Sequence, residues 1–259
     1  MAFAQAPRRP IAGAVATLGV SDRVAFLRKT YALLGVSLIA FAAVTAGMLN
    51  FMTETSLKFS EFAFRGQWTW LVVLLLFMGV GMVAQRLAMS QTSRGLQYLG
   101  LGIAVVAEGI LLQPLLWVLM VKFGDPTAIF ANAATPMLSG DAARILGEAV
   151  VITLVIFGGL TATVFITKKD FSFMRGALTV ASFGFLGVIL ASAIFGFHMG
   201  ALFCGFGILL MAGYILYQTS LVMSYFPPTG YVAASLMLFS TIATLFWYVL
   251  QLLMTMNRR

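Results

Sequence analysis

Residues 70 to 84 read WLVVLLLFMGVGMVA, with no charge, no proline and no alternation of polar and apolar side chains. A strand of a membrane barrel alternates every second residue over about ten residues. A helix at the surface of a soluble protein carries polar side chains along one face. Neither pattern is present. The run is a helix with apolar surroundings on every side, and with its flanks, Trp68 to Gln85, it can cross a hydrocarbon layer about 30 Å thick at 1.5 Å per residue.

The same signature recurs at Tyr31 to Met52, Leu96 to Val121, Ile145 to Thr167, Ala177 to Phe195, Gly200 to Leu221 and Tyr231 to Met256. Composition agrees, because 61% of the residues are hydrophobic, only 9% are charged and the mean hydropathy is +1.00, whereas soluble domains carry about 25% charge. In a bilayer every backbone group must be bonded internally, so long apolar runs form helices. The chain is therefore expected to be an all-α integral membrane protein, with seven transmembrane helices in one bundle.

Residues 26–259 form the expected transmembrane domain, and residues 1–25 a mobile cytoplasmic tail. The tail contains PRRPIAGAVATLGVS (7–21), which has the basic start of a secretory signal. Its apolar part is short and rich in Gly and Ala, which favours a tail lying along an anionic leaflet. Basic residues set the orientation. Arg8, Arg9, Arg23, Arg28, Lys29, Arg86, Arg94, Lys168, Lys169 and Arg175 fall on one side, and Lys58, Arg65, Lys122, Arg144, Arg258 and Arg259 on the other, which exhausts the 16 Lys and Arg. The richer side is cytoplasmic, so the N-terminus is expected inside. The net charge of +8 is scattered over loop ends with no aromatic interleaving, so nucleic acid is not an expected partner. The lipid bilayer is.

Ionisable side chains at membrane depth are expensive and are candidates for function. Glu108, in AVVAEGILLQPLLW (104–117), lies in the middle of the third span. Holding a carboxyl there costs about 2 to 3.5 kcal/mol on insertion scales. Its two readings are an ion- or proton-handling group and a neutral carboxyl bonded to a neighbouring helix. Glu148 stands near the start of the fourth span, as a charge candidate or as a solvated carboxylate at a helix N-terminus. Arg86 closes the second span, as a gate or ion-pair residue or as a side chain snorkelling to headgroups. His198 lies in the turn between spans five and six without partners at ligand spacing, so no metal site is expected. Cys204 has no second cysteine and reads as a packing residue. Small residues at four-residue spacing, in AVTAG (43–47) and GFHMG (196–200), let helices approach closely.

Four blocks together resemble the Bax-inhibitor family of membrane proteins: FLRKTYALLG (26–35), EAVVITLVIFGGLTATVFITKKDFSFM (148–174), GYILYQTS (213–220) and YVAASLMLFSTIATLFWYVLQLL (231–253). The resemblance covers roughly residues 23 to 255 and implies seven helices with the last one central. It also implies, for some members, a calcium leak controlled by pH through two aspartates, one near the end of the sixth span and one in the seventh. Those positions correspond here to Gln218 and Ser240, neither of which titrates. No Asp or Glu follows Asp170, so no shift of alignment restores the pair. Arg86 and Glu148 correspond to a basic residue and a glutamate of the family.

From the resemblance, the expected function is a cation leak, calcium being the cation, with altered or absent pH gating. Glu108, Glu148, Arg86, Gln218 and Ser240 are the candidates for the pathway or gate. The alternative is a non-conducting regulator that binds other membrane proteins, such as a membrane protease, or acts in a stress response. No enzyme activity and no cofactor are expected, because the sequence carries no metal cluster, nucleophile constellation or phosphate-binding loop. The membrane expected is a bacterial inner membrane, with an intracellular eukaryotic membrane as the other possibility.

Overall fold

The computed structural model describes residues 17, 19–90, 93–125, 138, 140–196 and 200–257. Its helices are α1 (Val20–Phe51), α2 (Thr53–Phe64), α3 (Gln67–Ala88), α4 (Arg94–Phe123), α5 (Gly140–Thr167), α6 (Arg175–Phe195), α7 (Ala201–Ser224) and α8 (Tyr231–Met256), with a 3₁₀ turn at Ser172–Met174 before α6. All except α2 are long and apolar enough to cross a membrane, which gives the seven spans read from the sequence. The first starts earlier than its apolar run indicated: α1 begins at Val20, ahead of the expected boundary at residue 26.

Large apolar side chains such as Ile39, Leu76, Ile166 and Phe183 stand exposed. A bilayer accepts that surface, so burial can be concentrated in two helices. In α4 and α8, 61% and 56% of the apolar window is buried, against 11 to 28% in the other spans. The last helix is therefore central, touching α1, α3, α4, α5 and α7, and α4 shares the centre with it. One buried cluster joins Phe26, Leu34, Leu101 and Phe239 toward the expected cytoplasmic end, and a second joins Leu116, Ile145, Ile215 and Leu250 toward the other.

Close helix approach depends on glycines other than those singled out by spacing. A Cβ on Gly100 of α4 would stand 2.5 Å from the Ala84 carbonyl oxygen of α3, and one on Gly207 of α7 would meet the Tyr248 ring at 2.8 Å. Gly47 faces open space, while its neighbour Val44 packs against Gly109. Gly196 instead ends α6 in the left-handed conformation, at φ 73°, where the absent Cβ removes the steric cost.

The turn TKKDFSF is fastened to the bundle. Asp170 Oδ1 accepts from the Ser172 amide at 2.8 Å, and its Oδ2 accepts from the Tyr225 hydroxyl at 2.8 Å. The Phe171 amide donates to Ser220 Oγ at 3.2 Å. One aspartate thus caps the chain entering α6 and ties it to the end of α7.

Helix α2 was not legible as a helix. It is amphipathic, burying Ser56, Ser60 and Ala63 while Glu54 and Lys58 pair at 2.6 Å on its exposed side. Its anchor is buried. Ser56 Oγ donates to Gln113 Oε1 at 2.7 Å and accepts from Trp117 Nε1 at 2.8 Å, so two polar residues of α4 hold α2 against the bundle. Gln113 Nε2 also donates to the Gly109 carbonyl at 3.0 Å, strengthening the turn that precedes Pro114.

Candidate functional site

A cavity of about 640 Å³ lies among α3, α4, α6, α7 and α8. One wall is a stripe of α3, in which Leu71, Leu74, Leu75, Met78, Met82 and Gln85 fall on one helical face. That stripe extends about 21 Å along the helix axis, most of the way across a hydrocarbon layer. The opposite wall is formed by the two buried helices and α7. Glu108 projects from α4, Gln218 from α7, and Ser240, Thr241 and Thr244 from α8.

Glu108 is about 21 Å along the axis from Arg94 and about 22 Å from Phe123, the two ends of α4. It is half-buried, and it is the one formally charged residue lining the cavity. It forms no hydrogen bond or ion pair with any described residue. The reading of Glu108 as a carboxyl bonded to a neighbouring helix therefore finds no partner there. Its side chain opens onto the cavity.

Gln218 lines the same cavity but is occupied, since its Oε1 accepts a hydrogen bond of 2.8 Å from Thr241 Oγ1. Thr241 also donates to the Met237 carbonyl at 3.1 Å. The residue that bonds Gln218 across the helix pair is thus Thr241. Ser240 contributes its backbone carbonyl to Thr244 Oγ1 at 2.8 Å, and its side chain lines the cavity beside them. Tyr214 Oη is paired with Ser182 Oγ at 2.9 Å, joining α7 to α6.

The other sequence candidates lie elsewhere. Glu148 is in an exposed cluster at the start of α5, where Arg144 Nη1 donates to Glu148 Oε1 at 3.3 Å and Arg144 Nη2 donates to Asp141 Oδ1 at 3.2 Å. Exposed pairs of this kind contribute about 0 to 1 kcal/mol, and neither carboxylate reaches the cavity. Arg86 is exposed in the last turn of α3 and makes no ion pair with a described residue. Its neighbour Gln85 lines the cavity. Cys204 is fully buried, and His198 lies outside the described residues. Among the described residues no three His, Cys, Asp or Glu side chains are grouped as metal ligands.

Toward the expected outer end, the Phe64, Trp70 and Trp247 rings stack in sequence. The centroids are 6.1 and 5.9 Å apart and both interplanar angles are 20°. Trp70 precedes the first lining residue of α3, and Trp247 lies one turn beyond Thr244 of α8. The stack therefore joins α2, α3 and α8 beside that end of the cavity.

The family model described as "Inhibitor of apoptosis-promoting Bax1" matches residues 23–259. The chain belongs to the Bax-inhibitor family. Among its Bax-inhibitor relatives, Bax inhibitor 1 of Schizosaccharomyces pombe is 32% identical over 245 residues, covering 92% of this chain and 79% of that protein. An uncharacterized membrane protein of Vibrio cholerae is 30% identical over 141 residues, 51% of this chain and 61% of that one. Protein lifeguard 4 of Mus musculus is 24% identical over 250 residues, 95% and 91% of the two chains. No solved structure matches the chain.

Family membership sharpens what is unusual in the cavity. Where the Bax-inhibitor resemblance implied a pair of aspartates, this chain has Gln218 and Ser240, and the carboxylate in the same space comes from α4. Sequence reasoning missed Thr241, Gln85 and Tyr214. Thr241 directly follows Ser240 in LFSTIATLF, and the α3 stripe ending at Gln85 is a periodic pattern that a single run of apolar letters conceals.

Proposed function

We propose that this Bax-inhibitor-family protein is a non-enzymatic cation leak, calcium being the expected cation, in which Glu108 draws cations into the cavity. The observation that carries this reading is that the one charged residue of the lining shares the cavity with Gln218 and Ser240. Calcium prefers six to eight oxygen ligands. A lone carboxylate and a few neutral oxygens cannot replace that shell, so the ion keeps much of its water and is held weakly, as passage requires. Gln218, Ser240, Thr241 and Thr244 supply an amide and hydroxyls in place of a carboxyl pair, so the leak is not switched by an acid pair on α7 and α8. The reading keeps the expected bacterial-type inner membrane, and the distribution of Lys and Arg favours an N-terminus in the cytoplasm.

The test is calcium entry into dye-loaded vesicles carrying the purified full chain. Glu108→Gln is expected to lower flux at least tenfold without unfolding the protein, and undiminished flux would remove Glu108 from the pathway. The uncharged Gln218 to Thr241 bond favours a second reading, since it joins α7 to α8 as a fixed strut. On that reading the protein is a non-conducting regulator of other membrane proteins, for example in membrane proteolysis or a stress response. Absence of flux through the wild-type protein, together with a co-purifying membrane protein, would select it.

A further inference from the structure

The polar groups of the cavity are not equally available. Gln218 Oε1 and Thr241 Oγ1 bond each other, Tyr214 Oη is paired with Ser182, and Thr244 Oγ1 is engaged by the Ser240 carbonyl. Glu108 is without a partner among the described residues. It faces walls formed largely by Leu74, Met78, Met82, Leu186, Ile189 and Leu190. The space thus combines one unpaired carboxyl group with an extensive apolar lining, some of it methionine, whose flexible thioether adapts to irregular shapes.

We infer that the cavity is a binding site for an amphipathic monovalent cation, an alkyl- or arylammonium or a phosphonium, whose charge sits at Glu108 and whose apolar body packs along α3 and α6. The volume of about 640 Å³ is that of a site for a drug-sized molecule, and a mostly apolar wall with few polar groups is the usual lining of such sites. An anion finds no cation in the lining. A lipid acyl chain or other neutral apolar molecule would leave the Glu108 carboxyl without a hydrogen-bond partner against hydrocarbon, which is costly. A hard divalent ion lacks the oxygen ligands needed to be retained. A large cation with low charge density is weakly hydrated, and it gains from both the carboxylate and the apolar walls. Phe77 and Tyr214 add aromatic rings to the lining, which also favour a cation.

The inference shares with the proposed leak the assignment of Glu108 as the cation-attracting group, and adds the ligand that this group retains. The probe is radiolabelled tetraphenylphosphonium, titrated against the full chain in lipid nanodiscs, with calcium flux measured on the same preparations in vesicles. Wild-type protein is expected to bind saturably at about one probe per chain. Glu108→Gln should weaken binding at least tenfold. Leu190→Trp, which fills space while keeping the carboxylate, should also weaken it, and Glu148→Gln at the exposed cluster should leave it unchanged. Lack of saturable binding to the wild type, or affinity preserved in Glu108→Gln or in Leu190→Trp, overturns the inference. Binding without calcium flux removes the leak and leaves this site standing, whereas flux without binding does the reverse.

Discussion

Thr241 Oγ1 donates a hydrogen bond of 2.8 Å to Gln218 Oε1, joining α8 to α7 in the wall of the cavity. Both residues are buried, so the bond sits where water competes little. Interhelical hydrogen bonds in membranes contribute about 0.6 to 2 kcal/mol. Thr241→Val keeps the shape and removes the donor. It is expected to lower stability by about that amount, read as a lower midpoint of thermal unfolding in detergent. A midpoint equal to the wild type would mean that the bond contributes nothing.

The same pair determines how flux should respond to acid. With an amide and hydroxyls on α7 and α8, replacing Gln218 or Ser240 by Ala is expected to leave the pH profile of calcium flux unchanged. Gln218→Asp with Ser240→Asp adds two carboxyl groups to the cavity that already holds Glu108, where neighbouring acids share protons and titrate together. That double variant should acquire a step in flux between about pH 6 and 8. A wild-type step abolished by Gln218→Ala would show that these helices already sense protons.

At the surface, pH acts through α2. The Lys58 ammonium, hydrogen-bonded at 2.6 Å, holds the Glu54 carboxyl below its ordinary value of 4.5, and Glu54 raises Lys58 above 10.5. Because the folded value of Glu54 is lowered, its support for α2 is complete above the ordinary value and is lost as the pH falls through the lowered one. Lys58 has the opposite sign, and its support fades only in strong alkali. Hydrogen exchange of residues 53–64, corrected for the intrinsic pH dependence of exchange, should show lower protection at acid pH than at neutrality. Glu54→Gln should reduce that difference.

The aromatic stack gives a prediction of opposite direction. Trp247 stacks on Trp70, with ring centroids 5.9 Å apart, so Trp247→Ala removes the α8 member of the stack beside the outer end of the cavity. On the leak reading, calcium flux in vesicles should rise severalfold. Flux that falls or stays constant would mean that the outer end is closed elsewhere.

The seven spans were legible because a bilayer imposes a length, and a run such as residues 70–84 meets it without help from the rest of the chain. Helix α2 was hidden, since it is too short to cross and Glu54, Lys58 and Glu61 make it look like a loop. Its buried stripe of Ser56, Ser60 and Ala63 becomes meaningful only against Gln113 and Trp117. Glu108 was legible as exceptional because a carboxyl at mid-span is costly wherever its helix packs. Its meeting with Gln218 and Ser240 was not, because it depends on α4 and α8 sharing the centre. The bond to Thr241 was missed for a similar reason: the resemblance pointed to Ser240, and only the rotation of α8 determines which of the two adjacent hydroxyls faces Gln218.

The most direct measurement compares two variants in one vesicle assay, Glu108→Gln and the double variant Gln218→Ala with Ser240→Ala, at equal protein density and neutral pH. If the carboxylate of α4 carries the pathway, the first loses at least nine-tenths of the calcium flux while the second keeps most of it. The reverse pattern, with flux intact in Glu108→Gln and lost in the double variant, would contradict the account.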